Sequence, residues 1–266
     1  MNKPTIITSF DDNPNYFSFV KSILQMWNNF GYNVEIGYIS DNPDKDIIEY
    51  VQKYADLKIF NTIDNIETGV QSKVTRLFLA SEKEFFWIVD VDFFILNINW
   101  WEDKFKFHNG ENIVASEKYS DNSAGKWPMW SNFGSGKTLK NIINPNNLSY
   151  YELLNSWKGI GSKYDKKEDV LNNFNNFSDE SLLRRLVKDS NYNITFYKRK
   201  GLNPKGYHIN SKGYYREVMK RVDRAWNWEI DKNKLYDGYY IDCFPKRPLN
   251  ENDPIIKEIF NYLKIK

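Results

Sequence analysis

The chain is short of cysteine, of histidine and of net charge. One of its 266 residues is cysteine, Cys243, so no disulfide can close within the chain. A reducing compartment is therefore expected, the cytoplasm, or the host cytoplasm if the gene is viral. Only two histidines are present, His108 and His208. The 37 basic and 35 acidic side chains leave a formal net charge of +2. That near-balance argues against a nucleic-acid protein driven by phosphate neutralisation, but not against binding one nucleotide. No apolar run approaches the length of a membrane span, and the opening MNKPTIITSFDDN reads as neither signal peptide nor anchor. Three Asn-x-Ser/Thr triplets, at Asn147, Asn176 and Asn193, are expected to be chance occurrences in an Asn-rich chain.

Aromatics are plentiful, at 17% with 9 Trp, 18 Tyr and 18 Phe. They are enough to pack a core and to leave faces for stacking on flat ligands. The length suits one large α/β domain, or one with a small C-terminal addition. Thr5 to Thr8 reads as a strand broken by Ser9-Phe10-Asp11-Asp12-Asn13-Pro14. Phe17, Val20, Leu24 and Trp27 then fall at a helical period that stops at Gly31. Val34 to Ile39 is the next strand, Asp44 to Ala55 a helix, Leu57 to Phe60 a short strand, and a third helix follows Gly69. Phe85-Phe86-Trp87-Ile88-Val89 is apolar throughout, as in a parallel strand buried on both faces. This βαβαβ alternation predicts a Rossmann-like half. Beyond Trp101 the reading gives strands over Asn112–Ser116 and Asn193–Lys198, a helix over Ser178–Lys188, and loops over Asp121–Trp130 and Lys158–Asp169.

The sharpest signal is Val89-Asp90-Val91-Asp92-Phe93, two carboxylates inside a greasy stretch. Residues two apart on an extended chain point the same way. Two like charges that close are costly in an apolar setting unless something neutralises them. A divalent cation answers that need, and oxygen donors suit Mg²⁺ or Mn²⁺. Asp90 and Asp92 also end a strand, where ligands of open α/β sheets bind. The plainer reading of a bare Asp-x-Asp is a turn with two solvated acids.

On this motif, after its hydrophobic strand, the chain resembles the metal-dependent glycosyltransferases of the GT-A fold. The resemblance implies an α/β, Rossmann-like domain over 1–266 with a mixed, mostly parallel central sheet flanked by helices. About 1–110 would form the nucleotide-binding half and about 111–266 the sugar and acceptor half. It implies an enzyme that moves a sugar from a nucleoside diphosphate sugar, UDP-linked by first guess, to a glycan or other acceptor hydroxyl. Asp90 and Asp92 would hold the cation, joined by His208 from Gly206-Tyr207-His208-Ile209-Asn210-Ser211-Lys212, with Lys212 on the diphosphate and Arg216 a weaker phosphate candidate. Lys73 and Arg76, three apart on one helix face, would touch the nucleotide, or else form a solvated charged face. Ser9, Asp11 and Asp41 would sit under base and ribose. Asn132 and Gly134, in Trp130-Ser131-Asn132-Phe133-Gly134-Ser135-Gly136, resemble the small-residue turn that lines the donor sugar. Asp179 or Glu180 would take the acceptor proton, though acids in a first helical turn also simply complement the dipole. Trp226, Trp228, Tyr239 and Tyr240 are candidates for an acceptor platform, or for core.

Other readings stay open. A nucleotidyltransferase also pairs aspartates with metal, and a non-catalytic sugar-binding module could keep the same fold. Gly134-Ser135-Gly136-Lys137-Thr138 imitates the end of a phosphate-binding P-loop, but the full pattern needs glycine where Ser131 stands.

Overall fold

The computed structural model describes residues 3–116, 131–158, 160, 178–188, 192, 194–197, 231–238, 240–245 and 247–266. Strands β1 (Thr5–Asp11), β2 (Val34–Ile39), β3 (Asp56–Phe60) and β4 (Phe85–Val89) lie parallel in the order β3-β2-β1-β4. The β5 strand (Phe94–Ile95) forms a separate two-stranded sheet with β9 (Asp242–Cys243). Three later strands, β6 (Ile113–Ser116), β7 (Ser131–Ser135) and β8 (Ile194–Tyr197), extend the main sheet to seven in the order β3-β2-β1-β4-β7-β6-β8. Among the described residues only β7 runs against its neighbours; β6 and β8 are again parallel. The mixed, mostly parallel sheet flanked by helices is thus as expected. Strands from both stretches of the chain enter it.

The crossovers are α1 (Pro14–Phe17) and α2 (Val20–Asn29) after β1, α3 (Lys45–Gln52) after β2, and α4 (Thr68–Ser81) after β3. Their starts follow local chemistry: Asn13 caps α1, with Pro14 in its first turn, and the Asp44 side chain accepts from Ile47 N at 3.0 Å to cap α3. Further along come α5 (Ile98–Glu102), α6 (Gly136–Ile143), α7 (Tyr150–Trp157), α8 (Ser178–Lys188), α9 (Lys232–Tyr236) and α10 (Pro254–Leu263). A reciprocal Ser149–Glu152 capping box opens α7. Neither α7 nor α10 was anticipated from the sequence pattern.

Successive residues of β4 alternate between two apolar layers. Trp87 and Val89 join Trp27, Trp101 and Phe133 in one, while Phe86 and Ile88 join Val74, Leu77, Leu153 and Leu182 in the other. This is why the run is apolar throughout: both faces of the strand are covered. Trp27, Trp87, Trp100, Trp101 and Trp157 are all fully buried, so these rings pack the core and none is a stacking platform. No helix among the described residues is long and apolar enough to cross a membrane.

The segment Ser131–Gly136, expected as part of a turn, is instead β7 up to Ser135, hydrogen-bonded between β4 and β6, with Gly136 opening α6. Its glycines meet neighbouring backbone. A Cβ on Gly134 (φ +155°) would stand 2.4 Å from the Asn112 carbonyl oxygen, and one on Gly136 1.8 Å from that of Lys83. The strand passes straight into α6, with Ser135 as N-cap and the Thr138 hydroxyl donating to Glu111 O at 2.5 Å. No loop is left to cradle phosphate, which removes the P-loop reading. Gly136→Ala should therefore lower stability by at least ~1–3 kcal/mol through forced displacement of the β4 approach, read as a lowered urea midpoint.

Candidate functional site

The site candidates gather where β1, β2 and β4 end. The strand character of β4 stops at Val89, and Phe93 N donates to Asp90 O at 3.2 Å, closing a turn. The extended geometry behind the expected same-side carboxylates is therefore missing. Asp90 continues the alternation towards α4, where its carboxylate takes Nη1 of Arg76. Asp92, past the turn, faces the other layer. There its Oδ2 accepts from Arg247 Nε at 2.6 Å and from Arg247 Nη2.

Arg76 is the hub. Beyond Asp90, its Nη2 binds Asp179 at the start of α8, and its Nη1 also donates to the Val89 carbonyl at 3.1 Å. The guanidinium is 7% exposed and the Asp179 side chain 4%. Burial alone pushes Arg76 towards losing its proton; Asp90 and Asp179 reverse that push, so it stays charged. Burial likewise raises the Asp179 carboxyl above its ordinary value, against the pull of Arg76. Lys73, one turn before Arg76, is half-buried. Burial draws its ammonium below the usual lysine value, while Asp179 and Asp90 support the charged form.

Arg247 was missed in the sequence. It stacks over the Tyr16 ring, 4.4 Å from the centroid, and feels Asp90 as well as Asp92. Only Asp92, 155 residues away, identifies it. Lys73, Arg76 and Arg247 thus stand against Asp90, Asp92 and Asp179 in one mutually felt cluster. Counter-charge for the two motif acids, expected from a metal, comes here from arginine.

The other candidates divide. Ser9 is buried, its hydroxyl donating to Ser72 O at 2.5 Å. Asp11 accepts from the Thr68 hydroxyl at 2.8 Å, which ties the end of β1 to the start of α4. Asp41, past β2, is exposed and takes both the amide and the hydroxyl of Thr62, at 2.9 and 2.5 Å. Those two bonds hold its carboxyl below the ordinary aspartate value. Asn132 is buried in the middle of the sheet beside Ile88, and Gly134 is spoken for by the Asn112–Ile113 backbone. Glu180, next to Asp179, is half-buried. Tyr240 is buried, its hydroxyl accepting from Asp231 N at 3.1 Å, and so belongs to the core. His208, Lys212, Arg216, Trp226, Trp228 and Tyr239 lie outside the described residues. His108, the other histidine, stacks on Phe85 with ring centroids 4.5 Å apart.

No protein-family model matches the chain, and no curated protein does. Among solved structures it is similar to the glycosyltransferase GlyE in Streptococcus pneumoniae TIGR4, at 15% identity and TM-score 0.43, covering 74% of this chain and 45% of that one. It is also similar to S. aureus TarS, at 14% identity and TM-score 0.43, covering 75% of this chain and 36% of that one. The chain therefore spans less than half the length of either. Likeness this distant carries no argument about function, which has to be made from the residues.

A divalent cation would find hard oxygen donors here, in Asp90 and Asp92. The donor chemistry fits, but the set is incomplete among the described residues, which hold no group of three or more His, Cys, Asp and Glu placed for a metal. Both acids are also bound to guanidinium groups, Asp90 through Oδ1 and Asp92 through Oδ2, and the two carboxylates turn to different layers. Arg76→Ala should strand two carboxylates and lower stability by roughly 3–5 kcal/mol, measured by urea unfolding. Arg76→Lys, which keeps the charge but not the two-armed reach, should lie between it and the wild type.

Proposed function

We propose that the chain is a glycosyltransferase that moves a sugar from a nucleoside diphosphate sugar to an acceptor hydroxyl. The observation that supports this best is the convergence of Asp90, Asp179, Lys73 and Arg76 at the end of the parallel strand β4, where open α/β sheets bind nucleotides. Base and ribose would lie over Asp11 and Asp41, with uridine the first choice by family resemblance. The diphosphate would lie towards the Lys73 ammonium. Asp90 and Asp92, with His208, are the residues that would hold Mn²⁺ or Mg²⁺, and such a cation would stabilise negative charge on the departing phosphate.

The chain's own groups divide the remaining work. Arg76 fixes Asp90 at the strand end and joins it to α8. Asp179 is committed to Arg76, so it positions that guanidinium; in an inverting transfer the base role falls to its neighbour Glu180. Lys73, whose charged form is weakened by burial, gains most from an arriving anion, because phosphate restores the counter-charge that water would have supplied.

A panel of nucleotide sugars with MnCl₂, assayed for free nucleoside diphosphate, tests the reading. One donor should be turned over, and Asp92→Asn should reduce that turnover by about a hundredfold or more. Release of pyrophosphate would instead indicate nucleotidyl transfer. Failure of any nucleotide sugar to bind by calorimetry would remove the proposal.

A further inference from the structure

The ends of the first strands form a row. Asp11 of β1, Ile39 of β2 and Phe60 of β3 stand side by side in register, with β4 on the far side of β1. Neighbouring strands lie about 4.8 Å apart, so the row from β4 to the outer strand β3 spans roughly 14 Å. A nucleoside diphosphate laid along it, with its diphosphate by Lys73 and its ribose over Asp11, carries its base past Asp41 towards β3. A planar base gains from an aromatic face. Phe10 and Tyr38, the rings beneath the row, stack on each other with centroids 4.4 Å apart and are buried, so they offer none.

At β3 such a face exists. Three successive amides after that strand are each held by a side chain from a different element. Asn61 N donates to the Tyr151 hydroxyl of α7 at 3.2 Å, Thr62 N to Asp41 at 2.9 Å, and Ile63 N to Gln71 of α4 at 3.0 Å. Because Asn61 and Thr62 are adjacent, the Tyr151 hydroxyl and the Asp41 carboxylate lie within about 10 Å of each other. Tyr151 is 43% exposed. Its ring meets that of Tyr150 edge to face, with centroids 5.1 Å apart and planes at 77°. Tyr150 is itself buried and fixed by Gln71 Nε2 at 3.0 Å and the Thr75 hydroxyl at 2.8 Å. A lone exposed aromatic is ordinary on a protein surface. This one is tied at its hydroxyl, braced at its ring and set beside the carboxylate proposed to meet the nucleoside, which makes it a preorganised wall.

We propose that Tyr151 is the base-stacking residue of the donor site: its exposed ring closes the outer end of the row and covers one face of the nucleotide base. This rests on the donor-binding reading above. Every base has a π-face, so Tyr151 supplies affinity without choosing among bases.

The test uses the full chain and whichever of UDP, CDP, GDP and ADP it binds most tightly. Calorimetry gives the affinity, and saturation-transfer NMR compares transfer to the base protons with transfer to the ribose protons. In the wild type the base protons should receive the stronger transfer. Tyr151→Ala should bind about tenfold more weakly and lower the base-to-ribose ratio at least twofold. Tyr151→Leu, which keeps an apolar side chain and guards against misfolding of the alanine variant, should lose at least fivefold in affinity. Tyr151→Phe, which keeps the ring but gives up the Asn61 bond, should stay within threefold of the wild type and retain the ratio. Undiminished affinity in the alanine and leucine variants, an unchanged ratio, or a loss in Tyr151→Phe as large as in Tyr151→Ala would overturn the stacking role. A wild type that binds none of the four nucleotides would instead sink the donor-binding reading itself.

Discussion

The arrangement depends on one guanidinium. Arg76 leaves α4 and reaches, in one hand, the carboxylate that ends β4 and, in the other, the acid that starts α8. A charge so deeply covered is tolerable only because it is matched on two sides. The match also fixes geometry, because the planar fork of arginine sets how far apart its two acceptors sit. Through it the central strand, the crossover helix before it and a helix from the far part of the chain are held in register. The neighbouring Lys73 and the Asp92–Arg247 contact are arranged around that fixed point.

The apolar layers explain why such a cluster can exist at an edge. In β4, Trp87 and Val89 face one layer, and Phe86 and Ile88 the other. Asp90 is the first residue at which the strand emerges from both. Burial there is deep enough to strengthen electrostatic interactions, while the Asp90 side chain keeps 21% of its surface exposed. Hydrophobic packing sets the position, and the charged groups beyond it supply the chemistry.

Much of this was legible locally. The βαβ alternation, the greasy run before Asp90, the N-capping Asp44 and the amphipathic Ser178–Lys188 helix all carry their signal within a few residues. The Asp-x-Asp pair was legible as a site, but its charge balance was not. Arg247 sits in a polar stretch and is marked only by a partner 155 residues away. The glycines of Ser131–Gly136 misled for a related reason. Small residues usually signal a turn, whereas here they are required because the Asn112 and Lys83 carbonyls press on them. Nothing in the local pattern reveals backbone approaching from another element. The second carboxylate was misplaced because period-two reasoning holds only while the chain is extended, and it bends at Asp90.

The long reach between Asp92 and Arg247 also bears on assembly of the fold. The strands β1, β2 and β3 pair through short crossovers and can gather early, since closing short loops loses little chain entropy, and β4 then adds beside β1. Asp92 then sits at a greasy edge with its charge unanswered until a distant segment docks and brings the arginine. A half-built molecule therefore carries a penalty that the finished one does not, and this ties acquisition of the site to completion of the fold.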